Sequence, residues 1–256
     1  MILKFDMCIS YLQEMRTIHM YLPDDYLHSY MLYPVLYMFD GHNLFNDEDA
    51  TYGRSWRLQE ELEKRKEKCI VVGIECSHNG NQRLNEYSPY PFYDEEFGSF
   101  EGWGQETMDF IIHELKPYID AHFPTKKDRN HTWIAGSSCG GLMSLYAAIK
   151  YSFYFSKFLV ISPYIYPMFA DIVKDMRSSF IHPETNVYMS WGSKEEDNDT
   201  FFVQETKCCT EIINLLQEKE VHTQMNVRLN GRHCEKSWQE EASDYLPFLF
   251  KKSNRN

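Results

Sequence analysis

The sequence lacks the features that mark membrane proteins and nucleic-acid-binding proteins. No stretch of the 256 residues is apolar over the length of a membrane span, and the first residues lack a basic segment followed by a long apolar run. The 26 lysines and arginines are outnumbered by 38 aspartates and glutamates and form no long basic cluster. We therefore expect a cytoplasmic protein with neither a membrane nor a nucleic acid as its partner.

Disulfide and metal motifs are also missing. The seven cysteines are an odd number, no two are spaced Cys-x-x-Cys, and Cys208 and Cys209 are neighbours. This pattern does not suit a disulfide framework and is typical of a reducing compartment. The sequence has no His-Glu-x-x-His motif, no calcium-loop spacing of carboxylates and no phosphate-binding glycine loop. We therefore expect neither a metal ion nor another cofactor.

Strand-like and helix-like segments alternate along the chain. The predicted strands are residues 16–22, 34–39, 69–74, 131–135, 155–161, 186–191 and 224–229. The predicted helices are residues 56–66, 106–122, 142–149, 201–218 and 238–250, and residues 75–103 are predicted to form one long loop. This order predicts a single α/β domain over residues 1–256, with a mostly parallel central sheet and helices on both faces.

The most specific motif is Gly136-Ser137-Ser138-Cys139-Gly140, between an apolar strand and a helical segment. In a nucleophile elbow, glycines two residues before and after the central serine remove side chains that would collide with the neighbouring backbone. Ser138 holds that central place and is the predicted nucleophile. The same residues also suit an ordinary glycine-rich helix start, but the flanking strand and helix favour the elbow.

A nucleophilic serine needs a histidine base and a carboxylate, which follow it in the order Ser, Asp or Glu, His in α/β hydrolases. Among ten histidines, His233 is the best placed, because it follows the last predicted strand and precedes the last helix. The acid is expected after the penultimate strand, where the candidates are Glu195, Glu196, Asp197 and Asp199. Acidic residues before a helix also cap it, so spacing alone does not separate Glu195 from its neighbours.

The second half of the predicted oxyanion hole lies after the strand at residues 34–39. The loop there reads Asp40-Gly41-His42-Asn43, and the backbone N–H of His42 is the candidate donor, together with the N–H of Cys139 after the nucleophile. A plain turn is the alternative interpretation of Asp40-Gly41.

Seven segments together resemble a known family over most of the chain. They are residues 37–45, 72–74, 83–89, 134–141, Ser162-Pro163, residues 192–195 and residues 231–238. They are similar to the Putative esterase family of α/β hydrolases, the group that includes esterase D, feruloyl esterase, enterobactin esterase and mycolyltransferase-like enzymes. The resemblance implies a serine carboxylic-ester hydrolase that acts through a covalent acyl-enzyme.

The resemblance also assigns residues. It selects Glu195 as the acid of a Ser-His-Glu triad, because family members tend to place the acid three residues after the glycine that ends the penultimate strand. Arg83 and Glu86 match a recurrent pair near the active site, expected here as an ion pair that orders the loop. The chain departs from the family pattern at Asp40, where many relatives have histidine, at Cys139, where methionine is common, and in having Glu where Asp is frequent.

The substrate is expected to be a small-molecule or carbohydrate-linked ester. Gly41, Arg83 and Trp103 are the predicted substrate-binding residues, and the aromatic residues between positions 87 and 103 could shape a pocket for a bulky acyl group. Alternatively, most of these rings pack the loop onto the sheet. An acyltransferase with the same triad and a non-catalytic binding protein of this fold remain rival functions, and a homo-oligomer is left open.

Overall fold

The computed structural model describes residues 1–28, 30–196 and 198–251. Its strands are β1 Ile2–Ile9, β2 Glu14–Tyr21, β3 Val35–Phe39, β4 Ile70–Ile74, β5 Phe92–Asp94, β6 Gly98–Phe100, β7 Thr132–Ser138, β8 Lys157–Pro163, β9 Asn186–Gly192 and β10 His222–Arg228. Its helices are α1 Leu58–Glu63, α2 Gln82–Glu86, α3 Gly104–Phe110, α4 Lys116–His122, α5 Cys139–Lys150, α6 Phe169–Ser178, α7 Asp199–Glu218, α8 Glu235–Glu240 and α9 Ala242–Phe250.

Eight strands form the central sheet, in the order β1-β2-β4-β3-β7-β8-β9-β10. Six neighbouring strands of this sheet, β4, β3, β7, β8, β9 and β10, run parallel to one another. Strand β2 is antiparallel to both β1 and β4. The predicted mostly parallel sheet is confirmed. Because parallel strands end at the same edge, the loops after β3, β4, β7, β8, β9 and β10 converge there.

Helices cover both faces of the sheet, as the side-chain alternation of β3 illustrates. Val35, Tyr37 and Phe39 belong to the larger apolar core, which includes residues of α3 to α7, whereas Leu36 and Met38 belong to a second core with residues of α1, α8 and α9. A strand buried on both faces appears in the sequence as a continuous apolar run, which explains why β3 and β4 were predictable. In the described part of the chain, no helix is long and apolar enough to cross a membrane.

Four features differ from the prediction. The strand β1 was not predicted, because most of its side chains are exposed or half-buried and make no apolar run. Helix α6 was also missed. The predicted loop at residues 75–103 contains α2 and the β5–β6 hairpin, and the predicted last helix is divided into α8 and α9. Between these two helices the buried Glu241 accepts a 2.6 Å hydrogen bond from the Tyr188 hydroxyl, which anchors the junction to the sheet.

Residues 106–122 are helical as predicted, but the helix is irregular. A π turn at Ile111–Leu115 joins α3 to α4. Pro117 lies in the first turn of α4, where its missing N–H and its ring disfavour a regular α-helical hydrogen bond to the preceding turn. The π turn accommodates the proline without ending the helix.

Candidate active site

Ser138 lies at a sharp turn between β7 and α5. Its backbone has φ 58° and ψ −124°, a conformation that residues other than glycine rarely adopt. A Cβ on Gly136 would lie 2.4 Å from the backbone of Gly140, and a Cβ on Gly140 would lie 2.8 Å from the Cβ of Phe39. Both positions therefore require glycine, and the strand, turn and helix have the geometry of a nucleophile elbow.

Glu195 and His233 form a hydrogen-bonded pair at the same edge of the sheet. The Nδ1 atom of His233 lies 2.8 Å from Oε2 of Glu195. The Glu195 side chain is only 2% exposed, whereas that of His233 is 36% exposed. A buried carboxylate thus holds one nitrogen of an accessible imidazole, which leaves Nε2 available for proton transfer.

The other oxygen of Glu195 is held by two donors. The Gly192 backbone N–H donates to Oε1 at 2.6 Å and the Ser162 hydroxyl at 2.7 Å. The Trp238 indole N–H in turn donates to Ser162 at 2.9 Å, and its ring contacts His233 edge-on with centroids 5.2 Å apart. These contacts orient the carboxylate and the imidazole.

The end of β8 links this pair to the elbow. Tyr164 donates its backbone N–H to the Ser138 carbonyl at 3.0 Å, and Ser162, two residues earlier, contacts Glu195. The sheet order β7-β8-β9-β10 thus places Ser138, Glu195 and His233 at or just after the carboxyl ends of neighbouring strands. The contacts of Ser162 and Trp238 with Glu195 and His233 were not predicted, although both residues lie in segments that carry the family resemblance.

A second buried acid lies near Glu195. Burial, followed by the charges of Glu195 and Glu196, raises the pKa of Glu205 to about 9. Glu205 is therefore neutral at neutral pH, so it adds no second buried charge beside Glu195. Among the other candidate acids, Glu196 and Asp199 are exposed, and Asp197 lies outside the described residues.

The predicted oxyanion loop lies against the elbow. Asp40 has φ 57° and begins a helical turn at Gly41–Asn43, directly after β3. A Cβ on Gly41 would lie 2.5 Å from the Gly73 carbonyl carbon, so this glycine is needed for close packing on β4. A Cβ on Gly140 would lie 3.4 Å from Oδ2 of Asp40, which shows how closely this loop approaches the start of α5. Cys139 is buried at the start of α5.

Asp40 forms an ion pair with Arg83. The Nε and Nη2 atoms of Arg83 each donate a 2.7 Å hydrogen bond to a different oxygen of Asp40. Burial alone would raise the pKa of the Asp40 carboxyl, but the charge and hydrogen bonds of Arg83 outweigh burial and hold this pKa below its usual value. The ion pair restrains Asp40, which lies two residues before His42 in the oxyanion loop.

The expected ion pair between Arg83 and Glu86 is therefore wrong. Glu86 is buried and pairs with Arg16 of β2, and it also accepts a 2.9 Å hydrogen bond from the Ser77 backbone N–H. Arg83 and Glu86 lie in one short helix, α2, but each pairs with an oppositely charged residue from a different segment of the chain. Asp40, the departure from the usual family residue, supplies the partner of Arg83.

Replacing Arg83 by methionine should lower the free energy of unfolding by about 3 kcal/mol, the lower end of the range for breaking a buried ion pair. The reason is that Asp40, 8% exposed, would remain buried without its counter-charge, while Arg83 itself is 28% exposed. Urea unfolding measures the loss. R57M is the matched control, because Arg57 and Asp47 are both 39% exposed, so water screens their ion pair and the loss should be much smaller than in R83M. Equal losses in the two variants would contradict this interpretation.

The aromatic residues of segment 87–103 divide into two groups. Tyr87 packs edge-on against Phe39 with centroids 5.0 Å apart, and Phe92 stacks on Phe100 at 4.9 Å. In contrast, Tyr93 and Phe97 on the β5–β6 hairpin are 67% and 47% exposed. Most of the rings therefore pack the segment, and two remain available to a ligand.

The other predicted substrate-binding residues have structural contacts of their own. Trp103 is half-buried at the start of α3, and its backbone N–H donates to the Asn85 carbonyl at 2.6 Å. Gly41 packs on Gly73 and Arg83 is bound to Asp40. Their substrate-binding roles stay predictions.

Three potential metal ligands lie beside the oxyanion loop. One ligand atom from each of His42, Cys76 and His78 lies within 4.8 Å of the others. Burial is the main cause that lowers the pKa of His42. The expectation of no metal site was based on contiguous motifs, whereas this cluster combines two loops. Only the spacing Cys76-x-His78 could have pointed to it.

Sequence comparison identifies the family. The family described as "Putative esterase" matches residues 9–249. The protein YjcH of Bacillus subtilis (strain 168), which is described as uncharacterized, is 30% identical to this chain over 213 residues. The matched region covers 81% of this chain and 80% of YjcH.

Solved structures share the fold. An IroE-like serine hydrolase from Shewanella oneidensis has a TM-score of 0.78 at 19% identity and covers 98% of this chain and 80% of its own. The siderophore hydrolase EstA from Aspergillus nidulans has a TM-score of 0.72 at 18% identity, with 98% and 95% covered. The chain belongs to the Putative esterase family and is a carboxylesterase-type enzyme with the α/β-hydrolase fold.

Proposed function

We propose that the protein is a single-domain serine carboxylic-ester hydrolase with Ser138 as nucleophile, His233 as base and Glu195 as the orienting acid. The observation that carries this proposal is the Glu195–His233 hydrogen bond, formed at the sheet edge where Ser138 occupies its strained turn. A non-catalytic protein of this fold has no need of a buried carboxylate that is held by two donors and directed at an accessible histidine.

The proposed reaction begins with attack of the Ser138 oxygen on the ester carbonyl carbon, while Nε2 of His233 takes the serine proton. Glu195 stabilises the imidazolium through Nδ1. The N–H groups of His42 and Cys139 bind the negatively charged oxygen of the tetrahedral intermediate. This intermediate collapses to the acyl-enzyme as the alcohol leaves with the proton from His233. Water then attacks the acyl-enzyme by the same steps and releases the acid.

The β5–β6 hairpin supports a bulky or aromatic acyl group as substrate. The Tyr164 hydroxyl donates a 2.7 Å hydrogen bond to Asp94 of the hairpin, and the Tyr164 backbone N–H binds the carbonyl of Ser138. The exposed rings of Tyr93 and Phe97 are therefore carried by a hairpin tied to the nucleophile turn. One solved structure with this fold is named a ferulic acid esterase.

Hydrolysis of an ester panel tests this function. We expect the protein to cleave p-nitrophenyl acetate and methyl cinnamate, and expect the variant Y93A/F97A to lose about tenfold in kcat/KM for the cinnamate only, because acetate is too small to contact the rings. Tyr52, 79% exposed and outside the hairpin, provides the control Y52A. No ester cleavage by folded protein would contradict the function, whereas equal losses on both esters would contradict only the acyl preference.

The panel also separates hydrolysis from acyl transfer. With glycerol added as an acceptor, we expect the free acid to remain the main product. Predominant formation of the glyceryl ester would instead identify an acyltransferase with the same triad.

A further inference from the structure

We propose that His42, Cys76 and His78 form a binding site for a zinc-type divalent cation, which includes the His42 side chain of the oxyanion loop but none of Ser138, Glu195 and His233. Two imidazoles and one thiolate are ligands that zinc prefers, and three protein ligands leave one coordination position for water. The proposal does not depend on the esterase reaction.

The topology of the sheet brings the three residues together. Strands β3 and β4 are adjacent and parallel, with Phe39 paired to Ile74 at their carboxyl ends. His42 lies in the helical turn just after β3, and Cys76 and His78 follow β4 by two and four residues. One ligand atom of each lies within 4.8 Å of the other two.

One ring nitrogen of His42 has a hydrogen-bond partner, and the other has none among the described residues. Its Nε2 atom lies 3.0 Å from the Thr51 hydroxyl, whereas Nδ1 is buried and has no hydrogen-bond partner among the described residues. The residue is 3% exposed, so water does not readily satisfy this atom. A buried polar atom without a partner is unusual in a folded protein, and a metal ion would satisfy it.

His78 has the complementary arrangement. Its Nε2 atom lies 2.7 Å from Oε1 of Glu75, which leaves Nδ1 as the available ligand atom. Metal-binding histidines commonly donate their second ring N–H to a carboxylate, which fixes the tautomer and increases the basicity of the ligand. Glu75 would therefore act as the outer partner of His78.

The required adjustment is small. In a tetrahedral zinc site the ligand atoms are about 3.3 to 3.6 Å apart, as follows from bonds of about 2.0 Å to nitrogen and 2.3 Å to sulfur. The present separations, which are at most 4.8 Å, would therefore shorten by at most about 1.5 Å. The His78 side chain is 57% exposed, whereas His42 and Cys76 are buried, so His78 would make most of the adjustment. Closure on a metal would connect the loops that follow β3 and β4.

A cobalt titration tests the site. Protein stripped with a chelator is titrated with Co²⁺, and we expect one equivalent to bind, with a thiolate-to-cobalt absorption band that Zn²⁺ abolishes by competition. C76S should remove the band, H78A should weaken binding at least about 100-fold, and E75Q about tenfold. C8S and H131A, which alter an exposed cysteine and a half-buried histidine that binds Asp128, should bind as the wild type does.

Two results would overturn the proposal. One is the absence of stoichiometric Co²⁺ binding by folded wild-type protein, which would leave His42 and His78 as packed neighbours whose rings meet edge-on at 4.7 Å. The other is binding that C76S and H78A leave unchanged, which would place the cation elsewhere. Because His78 is exposed, H78A should fold even if C76S does not.

Discussion

Replacing Ser138 by alanine should lower kcat for p-nitrophenyl acetate by about 10⁵- to 10⁶-fold, the loss typical of removing a serine nucleophile. Without the hydroxyl no acyl-enzyme forms, and only the oxyanion donors remain to assist water. The fold should persist, because alanine at φ 58° is strained to a similar degree as serine. We expect the melting temperature to change by no more than about 4 °C. Kinetics and thermal unfolding measure both effects.

The neighbouring serine provides a matched control. Ser137 precedes the nucleophile, is 6% exposed and has no role in the proposed chemistry. S137A should therefore retain wild-type activity within about tenfold. More than one hundredth of wild-type activity in S138A, or an equal loss in S137A, would contradict the assignment of Ser138.

Replacing Glu195 by glutamine should lower kcat by about 10³- to 10⁴-fold. The glutamine oxygen can still accept the hydrogen bonds from Gly192 and Ser162, so the loop should keep its conformation. Its NH₂ group would then face Nδ1 of His233, favour the wrong tautomer and leave the imidazolium without a countercharge. Steady-state kinetics combined with urea unfolding measure the effect.

Two other acids test whether this effect is specific. Glu196 is exposed, so E196Q should retain activity within about threefold. Glu205 is buried near Glu195 but neutral at neutral pH, because burial raises its pKa to about 9. E205Q should therefore have a much smaller effect than E195Q. A larger loss in E196Q or E205Q than in E195Q would move the acid role to that residue.

The sequence was sufficient for the elbow and for the order of its proposed partners, because local rules determine both. A serine at a strained strand-to-helix turn needs glycine at the positions of Gly136 and Gly140, so the motif is contiguous. The buried parallel strands could also be predicted from the sequence, because each appears there as a continuous apolar run. Chain order placed His233 after the last strand, and the structure brings it to within hydrogen-bond distance of Glu195.

Contacts between distant segments were not predictable from spacing. Arg83 binds Asp40, 43 positions away, instead of the nearby Glu86. The choice depends on the approach of α2 to the loop after β3, which no local pattern encodes. The β5–β6 hairpin likewise has only three residues in each strand, too few for a periodic signal, and depends on packing such as the Phe92–Phe100 stack. The cluster of His42, Cys76 and His78 also forms only when β3 and β4 pair.

Covalent labelling tests most directly whether Ser138 is the nucleophile. A fluorophosphonate reacts with an activated serine and stops at a stable adduct, so it reports the nucleophile independently of the natural substrate. Wild-type protein should gain the mass of one adduct, and fragmentation of the tryptic peptide of residues 130–150 should place it on Ser138 instead of Ser137 or Ser144. S138A should remain unlabelled under the same conditions. An adduct on another residue, or equal labelling of S138A, would contradict the proposed mechanism.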